Sequence, residues 1–309
     1  MSTYSQSFYN SDNYAAYRPS YSPHLIDRII EYRARASNRQ VTDDNVADLS
    51  VVDVACGTGK FTADLSRRFT HVVAVDVSKS MIGSAHQAPN ITYKVCPAEK
   101  LDLADETVDI VTAATGAHWF DIPAFLAEAR RVLKPGGTLA IFGYSGLMHF
   151  PRYPQCDELL RTMNYDKERG LADYWDKGRE VITNWYGEYV EALTGPADNG
   201  NSQELGHVER VIYPSQVFEA AGGRGDSYTK VLELDEGPVV MNPTTTTWRA
   251  LAQFLRTWSG YTKYCQAQPD KPDIVEDYVK QMMAAAGSTD WDSSFPLVLD
   301  ETLLLATKT

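Results

Sequence analysis

The residues with the clearest chemical meaning lie in two short segments. The segment DVACGTGK at 53–60 stands where an apolar run ends and a helical pattern begins, and Asp76 ends the next apolar run. Glycines in such a turn let the backbone bend sharply and let a ligand approach the main chain. An acidic side chain about 20 residues further on accepts hydrogen bonds from ribose hydroxyls. The pattern predicts a nucleoside site; a bare tight turn and a helix-capping Asp76 are the structural alternatives.

The features that the loop lacks indicate which nucleotide it binds. A dinucleotide loop has a third Gly or Ala where this chain has Thr62, and the phosphate-binding pattern G-x-x-x-x-G-K-[ST] is absent. The loop therefore predicts a nucleoside without phosphates. A hydride-transferring dehydrogenase fits this loop less well.

Five apolar runs between residues 50 and 145 alternate with helical patterns. The runs are VVDVA, HVVAVD, ITYKVC, VDIVTAA and TLAIFGY. Helical spacing follows the first run at Phe61, Leu65 and Phe69. This alternation predicts an α/β fold with a doubly wound, mostly parallel sheet, in which LKPGG at 133–137 ends the last helix before the fifth strand.

The regions on either side of this core have other patterns. Residues 1–45 combine a tyrosine-rich arm with an amphipathic helix that begins after Pro23. Residues 46–145 are the predicted cofactor-binding core, and residues 146–309 are predicted to hold helical substrate-covering insertions with strands at about 207–213 and 296–308. The last strand is expected to pair with the sheet edge.

Two helices are predicted within the C-terminal region. The segment WRALAQFLRTWSGY has one apolar face, and a further helix begins at Asp273 with Glu276 placed for a capping box. The residues on the apolar face are Trp248, Leu251, Ala252, Leu255 and Trp258.

Composition excludes several classes of protein. Lys plus Arg total 29 against 41 Asp plus Glu, a net charge of −12, and such a surface repels a nucleic-acid backbone. The four cysteines lack C-x-x-C spacing and the N-terminus lacks a signal-peptide pattern, which favours reduced thiols in the cytoplasm. No apolar run approaches the roughly 18 residues of a membrane span. No His, Asp or Glu cluster has metal-ligand spacing, so no metal is expected.

Residues 51–144 resemble the class I S-adenosylmethionine-dependent methyltransferases. The resemblance rests on VVDVACGTGKF, AVDVSKSM, CPAEKLDL, VDIVTAATGAHWFD and LKPGGTLAI. It implies a Rossmann-like seven-stranded sheet and S-adenosyl-L-methionine as cofactor. Asp76 then holds the ribose, Met81 packs near the adenine, and Ala98 and Glu99 lie beside the adenine edge. Many relatives have Asp where this chain has Pro97, so a carbonyl or Glu99 must replace that contact.

The cofactor-binding residues predicted in this way are Asp53, Ala55, Gly57, Gly59, Asp76, Val77, Met81, Ala98, Glu99, Ala114 and Arg18. Arg18 is assigned to the cofactor's own carboxylate or to the substrate.

The segments at 14–21, 118–120 and 256–261 are similar to a fungal branch that contains the trans-aconitate and cantharidin methyltransferases. This likeness implies methylation of a carboxyl group of a small di- or tricarboxylic acid. A carboxylate is already ionised at neutral pH and needs no general base, whereas an alcohol or phenol needs one, for which His118 is the candidate.

An anionic substrate also needs cationic groups and a pocket that excludes water. Arg18, Arg152, Arg179 and Arg256 are the candidate cations. Aromatic residues are assigned to the substrate pocket, with core packing as the alternative, and they are Tyr14, Tyr21, Trp119, Tyr144, Trp175, Trp258 and Tyr261.

Three other functions remain open at this point. In the first, the enzyme methylates a hydroxyl or carbon of a lipid or secondary metabolite. In the second, the chain binds the cofactor without catalysis, and in the third it is a dehydrogenase. The sequence leaves the oligomeric state undetermined.

Overall fold

A mixed β-sheet runs through the computed structural model, which describes residues 16–37, 46–195, 205–223, 225–241 and 244–309. In these ranges its strands are β1 Val51–Val54, β2 Val72–Asp76, β3 Ile91–Val95, β4 Val108–Ala114, β5 Leu133–His149, β6 Leu205–Tyr213, β7 Thr229–Val231, β8 Thr244–Thr247 and β9 Ser294–Lys308. The order is β3-β2-β1-β4-β5-β9-β6-β7, and β8 pairs with β9. The first five strands are parallel to one another, whereas β9 runs antiparallel between β5 and β6.

Helices cover both faces of this sheet. They are α1 His24–Ser37, α2 Lys60–Arg68, α3 Lys79–Gly83, α4 Ile122–Val132, α5 Gln155–Tyr165, α6 Gly178–Thr183, α7 Gly187–Thr194, α8 Ser215–Ala220, α9 Trp248–Arg256, α10 Ser259–Ala267 and α11 Ile274–Ala285. One buried cluster includes Ile29 of α1 and Leu65 of α2, and another includes Phe125 of α4 and Tyr189 of α7. Burial of these apolar side chains holds the helices on the sheet.

The predicted α/β fold is confirmed, including all five strands between residues 50 and 145. The amphipathic helix after Pro23 is α1, whose residues Leu25 and Ile29 are buried. Asp273 caps α11 by accepting from the backbone N–H of Val275 and Glu276. The Glu276 carboxylate contacts Lys280 at 2.7 Å.

The last strand differs from the prediction, because β9 is an interior strand and not an edge strand. Its residues 303–305 pair with β5 on one side and with β6 on the other. The uninterrupted apolar run LLLA at 303–306 is typical of a strand that is covered on both faces. The sheet also has nine strands in the described residues where seven were expected, because the short β7 and β8 are added to the predicted set.

Two other elements have different bounds from those predicted. Strand β5 begins at Leu133 and extends to His149, with a positive φ of 75° at Gly136 and a register irregularity between Tyr144 and Met148. The segment predicted as one helix from Trp248 is divided into α9 and α10 at Thr257 and Trp258. The division leaves the carbonyl oxygen of Thr257 free to accept a hydrogen bond from Arg18 at 3.1 Å.

Candidate active site

The glycine loop forms a tight turn between β1 and α2. Ala55, Gly57 and Gly59 have positive φ values of 55°, 56° and 73°. A Cβ atom added to Gly57 would meet nothing within 4 Å, so this residue faces open space. The loop therefore presents bare main chain to the adjoining cavity.

Asp76 lies at the end of β2, beside this loop. Its Oδ2 accepts from the backbone N–H of Gly57 at 2.9 Å and its Oδ1 accepts from that of Ser78 at 2.7 Å. Burial raises the pKa of the carboxyl, and the backbone donors oppose that rise. The helix-capping alternative does not apply, because the Ser78 hydroxyl accepts from Met81 N at 3.3 Å and caps α3.

A cavity of about 380 Å³ opens at this edge of the sheet. Most of the predicted cofactor-binding residues line it, and they are Arg18, Ala55, Gly57, Asp76, Val77, Met81, Ala98, Glu99 and Ala114. This wall has the combination expected of a nucleoside site, namely bare main chain, the carboxylates of Asp76 and Glu99, and apolar side chains.

Asp53 and Gly59 were also predicted to bind the cofactor, but neither lines the cavity. Asp53 is fully buried beneath the loop, where its carboxylate accepts from Thr62 at 2.6 Å and from Thr112 at 2.9 Å. Burial raises its pKa to about 6. A Cβ at Gly59 would lie 2.5 Å from the hydroxyl oxygen of Tyr93. Both residues therefore support the loop without lining the cavity.

A smaller cavity of about 40 Å³ adjoins the first. Arg18, Thr115, Trp119 and Tyr144 line both cavities and therefore mark the junction between them. The small cavity is further lined by His118, Ser145, Trp175, Asp176, Arg179, Ile182, Trp258 and Ser259. It has room for a group of a few heavy atoms beside the junction.

The described part of the N-terminal arm, from residue 16 onward, borders the large cavity through Arg18, Pro19 and Tyr21. Arg18 donates to the Tyr144 hydroxyl at 2.6 Å, and Tyr21 contacts the Thr115 hydroxyl at 3.3 Å. The backbone of the arm is held by a hydrogen bond from Ser22 N to Val240 O at 2.6 Å. Lys60 donates to the carbonyl oxygen of Arg18, and burial, followed by the charge of Arg18, lowers the lysine pKa.

His118 presents a neutral imidazole to the small cavity. Its Nδ1 is buried and has no hydrogen-bond partner within the described ranges. Burial, followed by the charges of Arg179 and Arg18, lowers its pKa to about 3. The ring is therefore a hydrogen-bonding group and a weak base at neutral pH.

Three of the other predicted residues, all within the described ranges, line neither cavity. Tyr261 lines neither cavity, because its hydroxyl contacts Asp273 at 3.2 Å and ties α10 to the start of α11. Arg256 contacts the same carboxylate at 2.7 Å, and Arg152 lies over the Tyr153 ring, 5.4 Å from its centre. Tyr14 lies outside the described residues. Trp258 is 4% exposed and packs in the core while also lining the small cavity.

Sequence patterns had missed several lining residues. They are Pro19, Cys56, Thr58, Lys60, Phe61, Ser78, Cys96, Thr115, Gly116 and Phe120 in the large cavity, and Ser145, Asp176, Ile182 and Ser259 in the small one. Thr115 and Gly116 directly follow β4, and the rule that ligands bind beyond the carboxyl ends of strands provides a signal for them. The small-cavity residues come from separate segments and had no such signal.

Metal ligation has no support within these ranges, because no group of three His, Cys, Asp or Glu side chains there is arranged to hold an ion. None of the helices described is both long and apolar enough to cross a membrane.

This chain is similar in sequence to known proteins. A family described as "Methyltransferase domain" matches residues 52–141. A Dictyostelium discoideum protein named as a methyltransferase is 26% identical over 283 residues, covering 92% of this chain and 87% of that protein. A Saccharomyces cerevisiae protein named "Probable S-adenosylmethionine-dependent methyltransferase CRG1" is 24% identical over 288 residues, covering 89% and 87%.

The fold is also found in a solved structure described as "a Putative Type II Methyltransferase from Anaeromyxobacter dehalogenans". It superposes with a TM-score of 0.61 at 24% identity and covers 94% of this chain and 97% of that one. This likeness extends beyond the sheet core to nearly the whole chain.

Proposed function

We propose that this chain is a class I S-adenosylmethionine-dependent methyltransferase that methylates a carboxylate oxygen of a small di- or tricarboxylic acid. The observation that carries the proposal is the composition of the small cavity. Within the described residues it has two guanidinium groups and a neutral imidazole, and the Asp176 carboxylate in its wall pairs with Lys263. These groups suit an anionic acceptor.

The large cavity fits the cofactor in size and chemistry. S-adenosylmethionine supplies an electrophilic methyl group on a sulfonium. Asp76 is assigned to the ribose hydroxyls, since both of its oxygens are oriented by backbone N–H groups at 2.7–2.9 Å and keep further lone pairs for a ligand. Val77, Met81, Ala98 and Phe120 are assigned to the adenine, and Glu99, which accepts from Asp121 N at 3.0 Å, is assigned to its polar edge.

Arg18 and Lys60 place positive charge at the other end of this cavity. Both line it, and the Lys60 ammonium is bound to the backbone of the arm beside Arg18. We assign this pair to the cofactor's own carboxylate, because an ionised carboxylate in a partly buried site needs charged donors.

The acceptor oxygen is assigned to the junction of the two cavities, between Thr115, Trp119 and Tyr144. There the chain has to align the oxygen with the methyl group and exclude water. Positioning of this kind supplies roughly 7 kcal/mol or more of a barrier. A carboxylate needs no proton removed, and the low pKa of His118, about 3, makes it a poor base for a hydroxyl.

The test is a transfer assay with methyl-labelled cofactor. The purified full chain is incubated with a panel of acids that includes trans-aconitate, malonate and acetate, and with alcohols and phenols of similar size. We expect label in base-labile methyl esters of one or more acids. Label only in base-stable products would contradict the carboxylate assignment and favour a hydroxyl or carbon acceptor.

A further inference from the structure

The positive charge of Arg179 lacks a contacting carboxylate in the part of the chain that the structure describes. Its Nη2 donates to the side-chain oxygen of Asn164 at 3.2 Å and to the Tyr165 hydroxyl at 3.3 Å, both neutral acceptors. No ion pair within 4.0 Å joins Arg179 to any described acidic group, and its Nε is buried without a partner. Arg179 is half-buried, and a charge held partly away from water is ordinarily compensated by a carboxylate.

Two acidic side chains lie near Arg179, but neither contacts its guanidinium. Asp176 lines the same cavity, but its carboxylate pairs with Lys263 of α10. Asp300 of β9 is fully buried and accepts from the Ser145 hydroxyl, while burial raises its pKa to about 7. The charge of Arg179 acts on Asp300 only at longer range and opposes that rise.

The guanidinium group is held in one orientation. It lies over the Trp175 ring at 4.3 Å from the ring centre, with Trp258 at 6.0 Å. A Cβ atom at Gly146 would collide with the guanidinium, so the glycine at this position of β5 leaves room for Arg179 in its present orientation. With Nη2 bonded to Asn164 and Tyr165 and Nε buried, this planar cation keeps the N–H groups of Nη1 for a carboxylate of the ligand.

Asn164 connects these parts. It is fully buried, and its Nδ2 donates to the Gly146 carbonyl at 2.9 Å, within the irregular stretch of β5. Its backbone carbonyl accepts from Trp175 Nε1 at 2.9 Å. Asn164 therefore binds the Arg179 guanidinium through its side chain and the Trp175 ring through its main chain.

We propose that Arg179 is the specificity-determining residue of the acceptor site, where it binds a carboxylate of the acceptor, and that Asn164 is the residue that positions it. This inference rests on the proposed function. We assign this role to Arg179 and not to Arg18 because, of the two cavities, Arg179 lines only the small one. Arg18 lines both cavities and donates to Tyr144 and Thr257.

The first experiment measures binding without turnover. The full chain, saturated with demethylated cofactor, is titrated with acetate and with malonate while tryptophan fluorescence is recorded, because Trp175 and Trp258 lie against the guanidinium. We expect saturable binding that weakens at least tenfold in Arg179→Gln and less in Arg179→Lys, which keeps the charge but loses the planar fork. Arg152→Gln is the matched control, since Arg152 lines neither cavity.

The second experiment separates positioning from folding. Asn164→Asp places a carboxylate against the guanidinium and is expected to weaken anion binding at least tenfold while the dissociation constant of the cofactor stays within twofold. In an Arg179→Gln background the same change should have no further effect on anion binding, since Asn164 acts through Arg179. In turnover, both single variants should raise KM for the acid much more than they lower kcat.

The outcomes distinguish this inference from the proposed function. If the wild-type chain binds neither anion, or if Arg179→Gln binds them equally well, the role of Arg179 is wrong. An additive effect of Asn164→Asp in the Arg179→Gln background overturns the positioning role. If anions bind through Arg179 but no base-labile ester is formed with any acid, the proposed function fails while the anion site stands.

Discussion

The backbone N–H of Gly57 donates to the carboxylate of Asp76 at 2.9 Å, which joins the glycine loop to the end of the neighbouring strand. The two residues that were singled out from the sequence thus form one unit, in which the loop orients the acid. Ser78 N contributes the second donor at 2.7 Å. The carboxylate is therefore fixed before any ligand binds, which lowers the cost of ordering it.

Asp76→Asn should weaken cofactor binding. The amide nitrogen cannot accept from Gly57 or Ser78, so one of these two backbone N–H groups loses its acceptor. The ribose hydroxyls also lose a charged acceptor. Hydrogen bonds to charged groups contribute about 1.5–3 kcal/mol, which corresponds to roughly 10- to 100-fold in the dissociation constant. Calorimetric titration with the cofactor measures it. Asp102→Asn is the control, because Asp102 pairs with Lys94 at the surface, and equal losses in both variants would remove the assigned role of Asp76.

Gly57→Ala should mainly affect cofactor binding, whereas Gly59→Ala should mainly affect stability. Both residues have positive φ, so each substitution costs about 1–2 kcal/mol of backbone strain. A methyl group at Gly57 enters the cavity and should weaken cofactor binding, whereas one at Gly59 meets the Tyr93 hydroxyl and should mainly lower thermal stability. Thermal unfolding with and without cofactor separates the two effects. The Tyr93→Phe change should partly restore the stability of Gly59→Ala, and no restoration would mean that the collision is not with Tyr93.

His118 should remain neutral across the physiological range. Its pKa falls from 6.5 to about 3, so the folded chain binds this proton less readily than the unfolded chain. The contribution to the free energy of unfolding is therefore complete above pH 6.5 and is lost as pH falls toward 3. Histidine NMR signals of the folded protein, assigned by their absence in His118→Gln, should show no titration of this ring between pH 5 and 8. A midpoint near 6.5 would contradict the neutral imidazole assigned to the small cavity.

Glu301→Gln should loosen the segment that holds the arm. The Glu301 carboxylate accepts from the backbone N–H groups of Val239, Val240 and Met241 at 2.8–2.9 Å, and Val240 O in turn accepts from Ser22 of the arm. An amide offers one oxygen, and an unsatisfied buried N–H costs about 1–3 kcal/mol. We expect lower stability, faster proteolysis at the arm and weaker cofactor binding. Glu158→Gln, at an exposed site, is the control, and an unchanged arm in Glu301→Gln would disprove the coupling.

Glu301 should make the free energy of unfolding depend on pH in the direction opposite to that of His118. Burial raises the Glu301 pKa from 4.5 to about 7. Because the folded pKa is raised, its contribution to stability is complete below pH 4.5 and is lost as pH rises through 7. Chemical denaturation from pH 4.5 to 8 should show a larger loss in the wild type than in Glu301→Gln, in which the buried Asp53 and Asp300 still lose stability over the same range.

The local sequence determined the sheet core, the glycine loop and the acid that faces it. Short runs such as VVDVA and HVVAVD specify buried strands through their own composition, and a turn after a strand places Gly57 at the carboxyl edge. Asp76 follows from its place at the end of β2. These features depend on neighbours within a few residues, which is the range over which sequence patterns carry information.

Only the tertiary structure decided which distant side chains form the small cavity. The Arg179 guanidinium donates to Asn164, and Asn164 in turn donates to the irregular stretch of β5. Tyr261 was an equal candidate for the pocket from the sequence, but its hydroxyl contacts Asp273 instead. Thr62 stands where a dinucleotide loop has a small residue because its hydroxyl satisfies the buried Asp53 at 2.6 Å. Such contacts depend on packing between separate elements, and packing selects one among many arrangements that the same local patterns permit.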